Sequence, residues 1–335
     1  MTDQAPGEPA PAPSEPRSPF GLFRFTIEGR RAPALFVGGW LATLIGTGFV
    51  AIGLLATPSI LTATILLLGL GVATIGLVLL GGSQAIERQA AGEPYGGPSP
   101  VLLLIAAVTA TLLVAAIIGI GLEAAGVSLP AADRPLGDLL SVAVQALVFI
   151  GMVRLMVVSS GALSWADMGF TLDRRRVAAG LVSGAILAVP VIAITSLVAA
   201  VVVPLVGDSP PAPLPPTGTG TGLALHLLAG AVIGPLGEET IFRGAAVTAW
   251  LRTNGPNSAI TRAAILFALA HVLGLGSASF GEPGLALVAT VGRLPVAFAL
   301  GWLYVRTRTI WAPLGLHAAF NAILIVLGEF SQAAI

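Results

Sequence analysis

The sequence predicts an all-α polytopic integral membrane protein with about nine transmembrane helices. Hydrophobic residues make up 56% of the 335 residues and charged residues only 10%, whereas soluble proteins carry about 25% charged residues. The apolar residues also form a series of long runs, each able to cross a bilayer as a helix of roughly 20 residues. This composition excludes a soluble enzyme, a nucleic-acid-binding protein and a disordered protein, so we expect a lipid bilayer as partner and no nucleic acid.

Each predicted span is an apolar run bounded by segments rich in Pro, Gly, Asn and Ser, which favour turns. The spans are placed at 34–55, 59–82, 100–122, 137–159, 177–206, 222–250, 259–275, 284–305 and 309–328. The sixth run is long for a single crossing and contains Pro235. Proline lacks a backbone N–H, so we expect a kink there and a carbonyl that needs another donor.

The chain divides into three predicted parts. Residues 1–30 are polar and proline-rich, which predicts a disordered cytoplasmic tail. Residues 31–221 hold about five transmembrane helices with little polar content, and residues 222–328 form a C-terminal transmembrane domain. Cysteine is absent, which excludes disulfides, thiol catalysis and thiolate metal sites.

Arginine is the only basic residue besides histidine, and its placement predicts the orientation of the chain. If the nine spans alternate in direction, one side of the membrane receives nearly all the arginines: Arg24, Arg30, Arg31, Arg88, Arg174, Arg175, Arg176, Arg252, Arg262, Arg306 and Arg308. The opposite loops hold only Arg134. Because cytoplasmic loops carry the excess of basic residues, we expect a bacterial plasma-membrane protein with its N-terminus in the cytoplasm and its C-terminus outside.

Ionisable residues inside predicted spans are costly and mark function by default. They gather in the last four spans, at His226, Glu238, Glu239, Arg243, His271, Arg293 and His317, with polar Asn321 nearby. All three histidines of the chain are among them. We expect His226, near one end of its span, to be structural. Arg293 needs an acid or carbonyl partner, with Glu238, Glu239 or a substrate carboxylate as candidates, and we favour a structural counter-ion.

The sixth span contains two adjacent glutamates that a helix would separate. Glu239 and Arg243 are four residues apart, in the acid-first order that favours an ion pair on one helix face. Glu238 points about 100° away and has no partner on its own helix. Two interpretations remain open: all three side chains form a structural ion-pair cluster, or the pair is structural and Glu238 is a reactive carboxylate.

Two further spans carry polar side chains that need partners in an apolar setting. A single histidine on an apolar helix, such as His271, is more often a core residue than a catalytic one. His317 and Asn321, however, lie one turn apart on one face. The simplest arrangement is one pocket with Glu238, His271, His317 and Asn321. Such a pocket could activate water and hold an oxyanion, or bind a divalent metal through Glu238, His271 and His317.

Three short motifs, each in a separate span, resemble those of a known family. The stretch EETIFR (238–243) matches EExxxR, FALAH (267–271) matches FxxxH, and HAAFN (317–321) matches HxxxN. Their order resembles the CPBP intramembrane protease family, which includes the type II CAAX prenyl endopeptidases and the bacterial Abi proteins. The resemblance covers roughly 223–327. It departs from the family before the tryptophan of RTRTIW, where the family often has Gly-Ser and this chain has Arg308, Thr309 and Ile310.

The resemblance implies an all-helical membrane endopeptidase whose catalytic domain is residues 222–328. Glu238 with His271 would activate the attacking water, and His317 with Asn321 would hold the oxyanion or complete the site. Glu239 and Arg243 would support it. The implied cofactor is Zn²⁺ or another divalent metal on Glu238, His271 and His317, although a metal-free glutamate mechanism has also been argued for the family. The implied partner is a membrane-embedded or lipidated peptide substrate.

Two other classes of function remain open. An intramembrane cluster of Glu, His and Arg could relay protons or bind an ion in a transporter. A family member without activity could serve as a membrane scaffold or in bacteriocin immunity. A silent scaffold would be free to lose one of the four pocket residues, and none is missing. The sequence contains neither the GxSG motif of serine intramembrane proteases nor the GxGD motif of aspartyl ones.

Overall fold

The computed structural model describes residues 29–127, 134–207, 212–273 and 283–333. Within these ranges the chain forms nine helices and no strand: α1 Pro33–Leu55, α2 Ile60–Ala90, α3 Pro100–Ala124, α4 Arg134–Val158, α5 Arg174–Val206, α6 Gly220–Asn254, α7 Pro256–Leu273, α8 Pro283–Thr307 and α9 Trp311–Ala333. The predicted tail over 1–30 lies outside the described residues except for its last two.

Eight of the nine helices are long and apolar enough to cross a membrane, which confirms an all-α polytopic membrane protein. The exception is α7, which corresponds to the predicted seventh span. It is only 18 residues long, and its first two turns include Asn257, Ser258 and Arg262. These polar residues shorten its apolar stretch. Of the nine predicted spans, eight therefore correspond to helices of membrane-spanning length and hydropathy in the described residues.

Helix α2 runs well past the end predicted for it. The apolar run ends near residue 82, whereas the helix continues to Ala90, because Gln, Ala, Glu and Arg in residues 83–90 are good helix formers although they are not apolar.

At the start of α2, Ser59 caps the helix: its hydroxyl accepts the Thr62 N–H at 3.2 Å, and its own N–H donates to the Thr62 hydroxyl at 2.8 Å. Together these bonds satisfy end groups that a helix leaves open.

Large apolar side chains cover the outside of the described bundle. Leu55, Ile60 and Leu205 are more than 80% exposed, and many other leucines, isoleucines and valines point outward in the same way. Soluble monomers do not expose contiguous apolar surface on this scale. The outer surface therefore suits lipid acyl chains.

Glycines set the closest contact between α5 and α9. A Cβ atom placed on Gly184 of α5 would overlap the backbone carbonyl of Ala312, and one placed on Gly315 of α9 would overlap the carbonyl of Leu181. Small residues at such crossings let the two backbones approach each other, which is how membrane helices gain packing energy without a hydrophobic driving force.

Helix α6 is irregular where it passes through the bundle. Two π-helical stretches, Leu228–Ile233 and Thr240–Val247, flank a short α-helical stretch, Gly234–Glu239, which contains Pro235. Gly237 in this stretch lies directly against the backbone of Ala146 in α4. π-Helical turns often occur at functional sites, and the EETIFR motif spans the boundary between the second π stretch and the α-helical stretch.

Several loops that the sequence places on the arginine-rich side meet at one end of the bundle. Gln89 donates to the carbonyl of Ser160 at 2.9 Å, Arg252 donates to that of Ala162 at 3.2 Å, and the Trp311 indole donates to that of Thr171 at 2.9 Å. These bonds connect the ends of α2 and α6 and the start of α9 to the loop 159–173. We call this end, formed by loops 91–99, 159–173 and 308–310, the arginine end.

Candidate active site

Glu239 is the centre of a fully buried charge cluster. Its Oε1 accepts a hydrogen bond from Nη1 of Arg243 at 2.7 Å, and both side chains are 0% exposed. The Arg243 guanidinium lies 4.5 Å from the centroid of the Phe267 ring and donates to the carbonyl of Ala297 at 3.4 Å. The four-residue spacing predicts this ion pair, and the structure shows it. The Phe267 contact joins α6 to α7 through a cation–π interaction.

His317 also bonds to Glu239, which the sequence spacing does not reveal. The Nδ1 atom of His317 lies 2.8 Å from Oε1 of Glu239, the oxygen that accepts from Arg243. With Oε1 of Glu239 as the acceptor for both partners, Nδ1 of His317 is the donor. The Nε2 atom of His317 therefore faces the opposite way, toward Glu238.

His271 is oriented by a bond to its own helix. Its Nδ1 lies 2.8 Å from the carbonyl oxygen of Phe267, one turn earlier in α7. A carbonyl only accepts, so Nδ1 carries the proton here as well. The neutral ring then presents the lone pair of Nε2 to the interior of the bundle. Phe267 of the FALAH motif thus both positions His271 and packs against its ring, with ring centroids 4.4 Å apart.

Glu238 faces both histidines across a short gap. Its Oε2 lies 3.8 Å from Nε2 of His271 and 3.8 Å from Nε2 of His317. This oxygen is buried and has no hydrogen-bond partner among the described residues. A separation of 3.8 Å is too long for a direct hydrogen bond and suits a bridging water or small polar group. Helices α6, α7 and α9 therefore bring Glu238, His271 and His317 around one small space.

Asn321 lies one turn after His317 but bonds to α6 instead of Glu238. Its Nδ2 donates to the carbonyl of Gly230 at 2.7 Å. In a π-helical stretch a carbonyl accepts from the N–H five residues later, as Ala229 does from Gly234, and for Gly230 that residue is Pro235. The carbonyl freed by the proline, expected from the sequence, is thus satisfied by Asn321. A primary amide has a second N–H, and for Asn321 only the bond to Gly230 is formed among the described residues.

His226 and Arg293 lie outside this arrangement. His226 is almost fully buried, and its Nε2 lies 3.1 Å from Oδ2 of Asp138 in α4, which agrees with a structural role. Arg293 of α8 donates to the carbonyl of Ala289 on its own helix at 3.0 Å. It interacts electrostatically with Glu238, yet it forms no ion pair within 4.0 Å in the described chain. Of the two kinds of partner expected for Arg293, the described residues therefore show the carbonyl.

The donor types around Glu238 fit a divalent metal. Two imidazoles and one carboxylate form the ligand set of many catalytic zinc sites. Both imidazoles also donate their Nδ1–H to a protein acceptor, Phe267 or Glu239, and metal-binding histidines are commonly held in this way. No group of three His, Cys, Asp or Glu side chains in the described ranges is arranged closely enough to hold a metal ion. The site thus has the ligand types of a metal centre, but its three side chains are not close enough together to bind a metal ion as they lie here.

The fold and the site together define a class: an integral membrane protein that holds a glutamate and two histidines around one small space between its C-terminal helices. Comparison with protein families is more specific. Residues 220–323 match the family model described as Rce1-like, type II CAAX prenyl endopeptidase. This part of the chain carries all three motifs, and the match supports assignment to the CPBP intramembrane protease family. Comparison with curated proteins and with solved structures gives no match.

Proposed function

We propose that the protein is an intramembrane endopeptidase that hydrolyses a peptide bond of a membrane-associated or lipid-modified protein, near that protein's C-terminus. The observation that carries the proposal is the position of Glu238, whose unbonded Oε2 faces Nε2 of both His271 and His317. A peptidase needs a base that can take a proton from water. It also needs hydrogen-bond donors close by for the oxyanion that develops on the substrate. The family match gives this site its reaction class.

Glu238 is the proposed general base. A water molecule between Glu238 and His271 would give a proton to the carboxylate while its oxygen attacks the carbonyl carbon of the substrate. The C–N bond then breaks, and the protonated Glu238 returns the proton to the leaving amine. His271 orients the water through the Nε2 lone pair, because its Nδ1–H is committed to the Phe267 carbonyl.

His317 and Asn321 are the proposed oxyanion donors. When His317 is protonated, its Nε2–H points toward the Glu238 space while Nδ1–H remains bonded to Glu239. The Glu239 carboxylate therefore stabilises the imidazolium that the oxyanion requires. Asn321 uses one N–H on Gly230 and can offer the other. Glu239 and Arg243 support the site by fixing the ring of His317.

The proposed mechanism has a second form, which uses a divalent metal such as Zn²⁺. Glu238, His271 and His317 are the residues that would hold it. When bound, such an ion polarises the carbonyl and lowers the pKa of bound water. The metal-free form requires no change in the separations seen here, whereas the metal form requires the three side chains to move closer together.

The proposed orientation places the N-terminus and the arginine end in the cytoplasm, because basic residues accumulate on cytoplasmic loops. The proposed substrate is a membrane-embedded or lipidated peptide, since the site lies among helices whose outer surface is apolar. Glu238 retains some exposure, with 18% of its side chain accessible.

The test is cleavage of a quenched fluorescent peptide library, including a farnesylated CAAX peptide, by purified protein in detergent. Wild type is compared with Glu238→Gln and His271→Ala, each with and without a chelator. Glu123→Gln is the matched control, because this glutamate lies exposed at the end of α3. We expect wild type and the control to cleave the same peptides and both site variants to be inactive.

The chelator separates the two forms of the mechanism. Loss of wild-type cleavage on chelation, restored by added Zn²⁺, supports the metal form, and unchanged cleavage supports the metal-free form. Equal cleavage by wild type and Glu238→Gln would contradict the proposed site. Absence of cleavage by wild type, together with Glu238-dependent proton flux in liposomes, would favour the ion-relay function instead.

A further inference from the structure

A second cavity lies at the arginine end, away from the site around Glu238. Its volume is about 350 Å³, and its lining includes Thr248 and Arg252 of α6, Tyr304 of α8, and Arg308 just after α8. Thr248 is ten residues beyond Glu238, which corresponds to about 15 Å along a helix. None of these residues takes part in the proposed hydrolysis, so the cavity needs its own explanation.

Arg308 occupies a backbone conformation that arginine rarely adopts. Its φ is 54°, and it is the one residue other than glycine with positive φ in the described chain. It follows the last turn of α8, and its N–H donates to the Tyr304 carbonyl at 2.8 Å. Glycine is the usual residue at this left-handed helix-ending position, because it has no Cβ to clash. An arginine held there at a cost indicates that its side chain has a use.

The charges around the cavity leave one positive group free. Arg252 is engaged on both sides, with Nη2 2.9 Å from Asp167 and Nη1 bonded to the Ala162 carbonyl. Arg308 has no ion pair or side-chain hydrogen bond in the described chain, and it lines the same cavity. Two arginines against one aspartate leave a net positive charge. The Thr248 and Tyr304 hydroxyls, 2.6 Å apart and buried, add polar atoms to the cavity wall.

We infer that this cavity binds a phosphate group, and that Arg308 is its main ligand. Guanidinium groups bind phosphate oxygens through paired, charge-assisted hydrogen bonds. Anionic phospholipid headgroups lie at the ends of a membrane-spanning bundle, where basic residues attract them. A free phosphate ion offers the same chemistry. Asp167 does not prevent binding, since its charge is already compensated by Arg252 and by the bonds from Ser164.

The test measures binding to the purified full chain in detergent with three probes: phosphatidylglycerol, phosphatidylcholine and inorganic phosphate. Lipid binding is followed by native mass spectrometry, and stabilisation by all three probes is followed by thermal unfolding. The variants are Arg308→Gly, Arg308→Gln and Arg306→Gln. Arg306 is the matched control, because it is an exposed arginine two residues earlier that does not line the cavity.

We expect wild type and Arg306→Gln to bind phosphatidylglycerol in preference to phosphatidylcholine, and both Arg308 variants to bind it about tenfold more weakly, as for the loss of one charge-assisted contact. Without lipid, Arg308→Gly should unfold at the same or a higher temperature, because glycine relieves the left-handed backbone. Weaker binding in a variant that folds at least as well separates a ligand role from a structural one.

Two results would overturn the inference. Equal losses in Arg306→Gln and Arg308→Gln would show general attraction of the arginine end for anions, without a specific site. No preference of wild type for phosphatidylglycerol or phosphate over phosphatidylcholine would exclude a phosphate site altogether. Stabilisation by inorganic phosphate without preference for phosphatidylglycerol would keep the site and assign it to a free anion. None of these readouts depends on peptide cleavage.

Discussion

Two neighbouring glutamates of α6 lie in opposite surroundings. Glu239 is 0% exposed and accepts hydrogen bonds from two cationic or polar partners, Arg243 at 2.7 Å and His317 at 2.8 Å. Among the described residues the Oε2 of both glutamates lacks a hydrogen-bond partner, but Glu238 retains some exposure and faces its two histidines only at 3.8 Å. A turn of about 100° between adjacent helical positions is enough to separate them. This difference is why we propose Glu238, and not Glu239, as the reacting carboxylate.

The comparison is tested most strongly by Glu238→Gln. A glutamine keeps the size of the side chain but cannot take a proton from water, so we expect peptide cleavage to fall by about 10³- to 10⁴-fold. Thermal stability should change by less than about 1 kcal/mol, because the substitution removes no hydrogen bond seen here. Initial rates and thermal unfolding on one sample measure both effects. A large loss of stability with normal cleavage would reverse the roles assigned to the two glutamates.

Arg243→Met tests the structural side of the comparison. Removing one partner of a buried ion pair leaves an uncompensated charge and costs about 3–5 kcal/mol. We expect a loss of this size in unfolding experiments, with reduced cleavage because His317 is no longer fixed by an ionised Glu239. Arg306→Met is the control, since Arg306 is exposed and should tolerate the change. A cost below about 1 kcal/mol for Arg243→Met would show that Glu239 is neutral or reached by water.

These two residues also show how far the sequence could be read. The Glu239–Arg243 pair follows from four-residue spacing on one helix, and the run lengths predict nine spans, eight of which are helices of membrane-spanning length and hydropathy in the described residues. The bonds from His317 to Glu239 and from Asn321 to Gly230 join positions 78 and 91 residues apart, and a spacing rule along one helix does not reach them. The cavity near Arg308 is lined by residues from Asp167 to Arg308 that are far apart in the chain, and the sequence carries no signal for the positive φ of Arg308 besides an arginine at a helix end.

Asn321 provides the same kind of test for a neutral side chain, because it is the hydrogen-bond partner of a backbone carbonyl. Asn321→Ala leaves the Gly230 carbonyl without its donor, and an unsatisfied buried carbonyl costs about 1–3 kcal/mol. Pro235→Ala supplies a backbone N–H that can bond to the same carbonyl. We therefore expect the cost of Asn321→Ala to be smaller in the Pro235→Ala background. A double-mutant cycle by thermal unfolding measures this coupling, and strict additivity would show that the proline does not create the need for Asn321.

The smallest effect is expected where an acid–arginine pair lies outside the membrane. Asp167 at the arginine end accepts bonds from the Ser164 N–H and hydroxyl, both at 2.8 Å, and from Arg252 at 2.9 Å. The Ser164 backbone bond first, and then the Ser164 hydroxyl and Arg252, lower the pKa of Asp167 below its ordinary value. Its side chain is 40% exposed, so solvent screening keeps the contribution below about 1 kcal/mol.

Because the folded-state pKa is depressed, this contribution is fully present above the unfolded pKa of about 4 and is lost as the pH falls through the folded value. Wild type should therefore be slightly more stable than Asp167→Asn at pH 7, and the difference should vanish on acidification below about pH 4. Thermal unfolding of both proteins across pH 3–7 measures it. The contrary result would be a stability difference as large as the Arg243→Met cost, or one that does not change with pH. The exposed Asp167–Arg252 pair would then contribute as much to stability as the buried Glu239–Arg243 pair.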